Sequence, residues 1–369
     1  MRLRLAEPRF GETELAAIGR VLASGNLTQG PVVAEFEEAI ARFCGVEHAV
    51  ATTSATTALE LVLAALDIGA GDEVVVADFT YPATGNAVLA RGGVVKLVDV
   101  DPKTYCVDPG AIESALGDRT RAVIAVDVFG LPADYTTIEP LLAHHGIPLI
   151  CDAACSLGGA VGGRRAGAFG AAACFSFHPR KSLTTGEGGM VVCDDGELAE
   201  RLRRLRNHGA ERDGWRARFV EPGFNFRMSD LNAALGLAQV PEHDETVRLR
   251  GKLARRLDRG LERIEGVTPQ SVPEGFTHPY QAYVVVCDER LARDELIAEL
   301  RVLGVESTLG TYAMHAEPAF ARACGTKPGD LKHSFALAER SLALPLHQGL
   351  TEADMDAVAE ALASSIARL

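Results

Sequence analysis

Nothing in this chain reaches the roughly 18 consecutive apolar residues that a membrane-spanning helix needs, although 47% of its 369 residues are hydrophobic. The N-terminal Met1-Arg-Leu-Arg-Leu-Ala has two basic residues and no apolar core after them, so no signal peptide is expected. Positive charge is in short supply: 37 Lys and Arg stand against 50 Asp and Glu, a formal net charge of -13. That balance excludes ordinary nucleic-acid binding, which needs clustered cations for phosphate contacts. The densest basic run, Arg201 to Arg206, has helical spacing and reads as a solvated helix face. Aromatics make up only 6%, with one tryptophan, Trp215. The 8 cysteines are scattered, mostly in apolar runs. Cys151 and Cys155 lie close, but no second pair completes a zinc pattern, and no metal is expected. Buried free thiols behave as small hydrophobes, so a reduced, cytoplasmic setting is the simplest expectation. No Walker-type phosphate loop is present. The glycines of 158–167 lack the strand–glycines–helix context of a dinucleotide site and predict a turn or hairpin.

What the chain has is alternation. Apolar strand-like runs at 49–52, 73–77, 94–98, 122–128, 148–151, 172–177 and 189–193 are separated by helix-like stretches such as 84–91, 109–115 and 137–145. This predicts an α/β fold with a mainly parallel sheet covered by helices. From about residue 245 the pattern changes to charged and amphipathic helices around a strand at 280–287, a smaller C-terminal α+β domain. The expected division is 1–245 and 246–369. The polar stretch 207–223 is expected to be a long surface loop.

Four segments carry the chemistry. In Phe175-Ser-Phe-His-Pro-Arg-Lys-Ser-Leu-Thr-Thr-Gly-Glu-Gly-Gly189, Lys181 lies between an apolar run and a glycine-rich turn. A lysine held there can form a Schiff base with an aldehyde cofactor, or it is an ordinary solvated surface lysine. In Ile147-Pro-Leu-Ile-Cys-Asp-Ala-Ala154, Asp152 ends a buried strand, the edge of an open sheet where ligands bind. It is either the partner of a pyridinium nitrogen or a helix cap. Ser54, Thr56 and Thr57 begin an apolar helix. Such an end either binds phosphate or is simply capped. Tyr81, after the strand at 73–77, either stacks on a flat ring or packs in the core.

Taken in order, these segments resemble the DegT-type (StrS-like) sugar-nucleotide aminotransferases, a branch of the fold-type I enzymes that use pyridoxal 5'-phosphate (PLP). The resemblance runs from Ser24-Gly-Asn-Leu-Thr-Gln-Gly-Pro31 through Glu35-Phe-Glu37, Val98-Asp-Val-Asp-Pro102, Gly130-Leu-Pro-Ala-Asp134, Asn207-His-Gly209 and Gly223-Phe-Asn-Phe-Arg-Met-Ser-Asp230 to Leu344-Pro-Leu-His347. It implies a PLP-dependent aminotransferase making an aminosugar from a nucleotide-linked ketosugar, with glutamate as donor. It further implies that Lys181 is the Schiff-base lysine and proton shuttle and that Asp152 pairs with the ring nitrogen. Tyr81 would stack on the ring, and Ala55, Thr56 and Ser176 would hold the phosphate. Cys155 occupies another cofactor-contacting position, usually Gln or His. Asn225 would reach into the neighbouring subunit's site, which implies a homodimer with shared active sites. Ala55 stands where glycine is common, Asp127 where His is common, and Asn232 where Gln is common.

Candidate substrate contacts are Asn26, Gln29, Arg212 and His315, in the polar loops 26–29, 212–218 and 308–315. Three alternatives stay open. A sugar dehydratase of this fold would carry His in place of Lys181. A regulatory paralogue would lack Lys181 or Asp152. An amino-acid aminotransferase would need an arginine clamp for a carboxylate.

Overall fold

The computed structural model describes residues 2–369. Its centre is a seven-stranded sheet. In chain order the strands are β1 (His48–Thr52), β2 (Glu73–Ala77), β3 (Val94–Val98), β4 (Thr120–Val126), β5 (Leu149–Asp152), β6 (Ala172–Ser176) and β7 (Gly189–Cys193). They lie side by side as β1-β7-β6-β5-β4-β2-β3. Every pairing is parallel except the two made by β7, which runs antiparallel to both β1 and β6. All seven strands expected from the sequence are present, three with the expected bounds and four with shifted ends. The fourth stops at Val126, because Val128–Gly130 turns into a short 3-10 helix. The inner strands are buried on both faces, which is why they read as unbroken apolar runs.

Five helices bear on the site: α1 (Pro31–Cys44), α2 (Ala55–Ala65), α3 (Ala83–Ala90), α4 (Asp230–Gln239) and α5 (His243–Leu261). The start of α1 has Gly30 as its N-cap and no side-chain cap of its own. Asp230, on the first turn of α4, supplies it from 200 residues away: its carboxylate accepts from the amides of Gly30 (2.9 Å) and Val33 (3.0 Å). A side-chain cap of this kind stabilises a helix end by about 1 kcal/mol. Here it also ties the Ser24–Pro31 turn to α4. A side chain at Gly30 would collide with that carboxylate.

The second sheet contains β8 (Val267–Pro269), β9 (Tyr283–Cys287), β10 (Thr308–Leu309) and β11 (Ser341–Leu344), in the order β8-β9-β11-β10 and antiparallel throughout. It has its own apolar cluster, built from α5, the sheet and the last helix, Glu352–Ile366. Leu3 joins that cluster, and its backbone bridges to Val305. Residue 245 falls in the first turn of α5 rather than in a linker.

The stretch 207–223 is not a loop throughout. Ala210–Asp213 and Arg216–Phe219 pair as a hairpin. Its two turn residues are Gly214, at φ 61°, and Trp215. Gly214 at the first turn position was the available signal, since a Gly-X pair between paired runs favours a tight hairpin turn. The glycines of 158–167 do form a short hairpin, Ala160–Val161 with Arg164–Arg165.

Candidate active site

In this sheet β1 and β6 run in the same direction as β2 to β5, so six strands end on one edge. Thr52, Ser176 and Asp152 are the last residues of β1, β6 and β5. Asp78 and Asp127 follow directly on β2 and β4. The register aligns Thr52, Gly189 and Ser176 in one row across three strands. A Cβ at Gly189 would overlap the backbone of Ser54 and Ala55. Glycine there lets β7 lie against the N-terminus of α2 and brings Ser176 beside it.

The start of α2 divides its hydroxyls between two jobs. Ser54 and Thr57 form a reciprocal capping box: the Ser54 hydroxyl accepts from the Thr57 amide at 3.2 Å, and the Thr57 hydroxyl accepts from the Ser54 amide at 3.0 Å. Of the two readings of this helix end, ordinary capping is the one these two hydroxyls fill. Thr56 is exposed. Among the described residues, no side chain or loop atom bonds the amides of Ala55 and Thr56 or the Thr56 hydroxyl. Free amides at a helix N-terminus are an anion site.

Asp152 is 5% exposed. Its Oδ2 accepts from the Thr84 hydroxyl, on α3, at 2.7 Å, and its Oδ1 from the Ala154 amide at 3.3 Å. It caps no helix, because residues 153–159 form turns. Burial pushes its carboxyl above the ordinary range, opposed by the Thr84 hydroxyl, the Ala154 amide and the charge of Lys181. Next to it Asp127 is also buried. It accepts from Tyr135 Oη (2.6 Å), the Ala133 amide (2.9 Å) and Ser156 Oγ (2.5 Å). Burial pushes its carboxyl up to about 7, against those three donors. Asp127 thus takes its side-chain partners from its own surroundings.

Lys181 lies on the loop between β6 and β7, half-buried, with Nζ 2.9 Å from Cys155 Sγ. Three side-chain amides brace this loop. Gln239 pairs with both the amide (3.2 Å) and the carbonyl (2.7 Å) of Thr184. Asn232 donates to the Thr185 carbonyl at 2.7 Å. Gln281 reaches across from the segment before β9. Sequence reasoning missed Thr84, Gln239 and Gln281, although Thr84 lies three residues after Tyr81.

The remaining candidates divide. Tyr81 follows β2 and is 63% exposed, with its ring edge-on to Tyr312 at 6.3 Å. It is not a core residue. Asn225 is exposed, in a bridge with Asn207. Asn26 is exposed and Gln29 half-buried, in the turn held by Asp230. Arg212 is exposed on the 210–219 hairpin beside Trp215, which is 87% exposed. His315 is different. It is wholly buried, with Nδ1 2.6 Å from Asp78 Oδ2 and Nε2 accepting from the Gly329 amide at 3.1 Å. Both ring nitrogens are spent, so the structure makes His315 a brace on the β2 strand end and corrects its reading as a substrate contact.

One sheet edge therefore carries an amine, a buried carboxylate, a hydroxyl and a helix end with free amides. That set fits a flat, positively charged ring bearing a phosphate and an aldehyde. A model of the DegT/DnrJ/EryC1/StrS aminotransferase family matches residues 8–363. The chain belongs to that family. Like its relatives, this DegT-family protein is a PLP-dependent aminotransferase of the fold-type I architecture. It is 37% identical to a GDP-perosamine synthase of Caulobacter vibrioides, over 98% of this chain and 97% of that one. Among solved structures it resembles the aminotransferase TlmJ of Streptoalloteichus hindustanus, with a TM-score of 0.94, 34% identity and all of both chains covered. It also matches a Streptococcus pneumoniae protein solved in its PMP form, with a TM-score of 0.95, 26% identity, and 100% of this chain and 98% of that one covered.

Proposed function

We propose that this aminotransferase moves an amino group from glutamate to the keto carbon of a nucleotide-linked sugar. The observation that carries the reading is the full-length likeness to a GDP-perosamine synthase, a protein named for a nucleotide-linked aminosugar. When bound, PLP supplies an aldehyde and an electron-withdrawing ring. Asp152 would hold the proton on the ring nitrogen, with Thr84 fixing its carboxylate. The amides of Ala55 and Thr56 and the hydroxyls of Thr56 and Ser176 would hold the phosphate. Tyr81 would lie against the ring, and Cys155 stands beside Lys181. Lys181 Nζ would hold the aldehyde carbon and, once the donor's amine has freed it, would take the proton from the donor's Cα and, on the acceptor side, supply one to the keto carbon. The retention of Lys181 and Asp152 favours this over a dehydratase or a regulator without turnover. Residues 1–245 would form the cofactor-binding domain and 246–369 the smaller one. Asn26, Gln29 and Arg212 are the candidates for the substrate side. The eight free cysteines favour a reduced, cytoplasmic setting.

The substrate is tested by stopped flow. The amino form of the enzyme should be discharged at least about tenfold faster by one of a panel of nucleotide-linked 3- and 4-ketosugars than by pyruvate or oxaloacetate, a difference of about 1.4 kcal/mol in barrier. Equal rates with the 2-oxo acids would replace the sugar reading with an amino-acid enzyme.

We propose further that the active unit is a homodimer in which Asn225 reaches the phosphate site of a second copy of this chain. Its exposed side chain, beside a hairpin with Trp215 and Phe219 both exposed, supports the reading. Inactive Lys181→Ala and Asn225→Asp proteins, refolded together, should regain part of the wild-type activity, since one site in each hybrid is intact. A monomer by light scattering, fully active at the same concentration, would sink it.

A further inference from the structure

Lys181 sits in a stretch with no regular structure, residues 177–188, so the position of its amine depends on what holds the loop. The Lys181 amide itself donates to the His178 carbonyl at 2.8 Å. On either side of the lysine the backbone is held by one side chain. Gln281 Nε2 donates to the Arg180 carbonyl at 2.6 Å, and Gln281 Oε1 accepts from the Ser182 amide at 3.1 Å. A primary amide has a donor and an acceptor in one plane. It therefore pairs with a peptide backbone as a neighbouring strand would, and here that pairing straddles Lys181.

Gln281 is itself fixed by an expensive arrangement. Arg250, 2% exposed, has no carboxylate partner among the described residues. Its guanidinium donates to the carbonyls of Pro279 (3.2 Å), Tyr280 (2.5 Å) and Gln281 (3.0 Å), and to the Gln348 side chain at 3.1 Å. A buried charge without a counter-ion costs free energy, and burial pulls this guanidinium down to about 10. Tyr280, inside the cage, holds φ at 49°, a left-handed conformation that a non-glycine residue keeps only where its surroundings impose it. Two nitrogens of a rigid fork, Nε and Nη2, thus pin three successive carbonyls just where Gln281 begins its reach.

We infer that Gln281 is a positioning residue for Lys181, held in place by Arg250, so that the segment leading into the second sheet sets where the amine stands. This rests on the reading of Lys181 as the amine that binds the cofactor. Gln281→Met keeps the length of the side chain and removes both bonds. In the holoenzyme it should lower kcat by about tenfold and leave KM for both substrates within about twofold. It should also move the pH midpoint of the visible cofactor band by about half a unit or more, since a displaced amine meets a different field. Arg250→Lys should shift the midpoint in the same direction. If Gln281→Met fails to accumulate, Gln281→Ala serves for the same readings. Borohydride reduction of the wild type, followed by peptide mass spectrometry, is done first. An adduct on another lysine overturns the reading of the site and this inference with it. An adduct on Lys181, together with a wild-type kcat and midpoint in the Gln281 variant, overturns this inference alone.

Discussion

Replacing Lys181 by alanine should lower turnover by about a thousandfold or more, while the protein still folds and still binds the cofactor. General acid–base catalysis by a positioned side chain is worth roughly a hundred- to ten-thousandfold, and this residue also anchors the aldehyde. The fold should tolerate the change. Lys181 is half-buried on a loop, and its amine bonds Cys155 Sγ alone among the described residues. Small primary amines added to the variant should restore part of the proton transfer without restoring the anchor. Single-turnover absorbance with glutamate measures this directly. Full turnover in Lys181→Ala would end the assignment.

Asp152→Asn should leave the fold intact and lower kcat by about a hundredfold or more, close to 3 kcal/mol of barrier. The argument starts from burial. A carboxyl at this strand end is pushed towards its neutral form by desolvation, so it ionises best when a cation faces it. A protonated ring nitrogen is such a cation. Asparagine keeps the shape and a hydrogen bond to Thr84 but supplies no charge to hold the proton. The loss should appear in kcat for both half-reactions, with the thermal midpoint within a few degrees of wild type. Near-normal kcat would leave Asp152 as a structural residue only.

The strand pattern was legible because doubly covered strands must be apolar along their whole length, and the C-terminal strand ends carried their own polar signals. Asp152 directly follows such a run, whereas Asp127 and Ser176 read as lying inside the runs 122–128 and 172–177. The braces were not legible. Gln239 and Gln281 lie in unremarkable helical or pre-strand sequence, and their importance comes from reaching backbone groups 55 and about 100 residues away. His315 misled for the same reason. A histidine in a polar segment looks accessible until the fold packs Asp78 and Gly329 against its two nitrogens. The capping box of Ser54 and Thr57 was visible in the spacing of the two hydroxyls, but which hydroxyl stays free depends on backbone direction at the helix start.

The strand that runs the wrong way has a consequence for how the chain comes to be folded. During synthesis the parallel run β2, β3, β4 and β5 can assemble as soon as it emerges. β1 cannot join it, because among the described residues its neighbour in the sheet is β7 alone, which ends at Cys193. The first strand made is thus among the last to be paired, after a wait of nearly 140 residues of elongation, and closing so long a loop is slow. Until then β6, once formed, presents an open edge, the kind of surface that chaperones cover and that aggregates at high expression. Low temperature and slow induction should favour recovery of the native protein, and residues 48–52 should be the last of the sheet to gain protection in pulse-labelled hydrogen exchange during refolding.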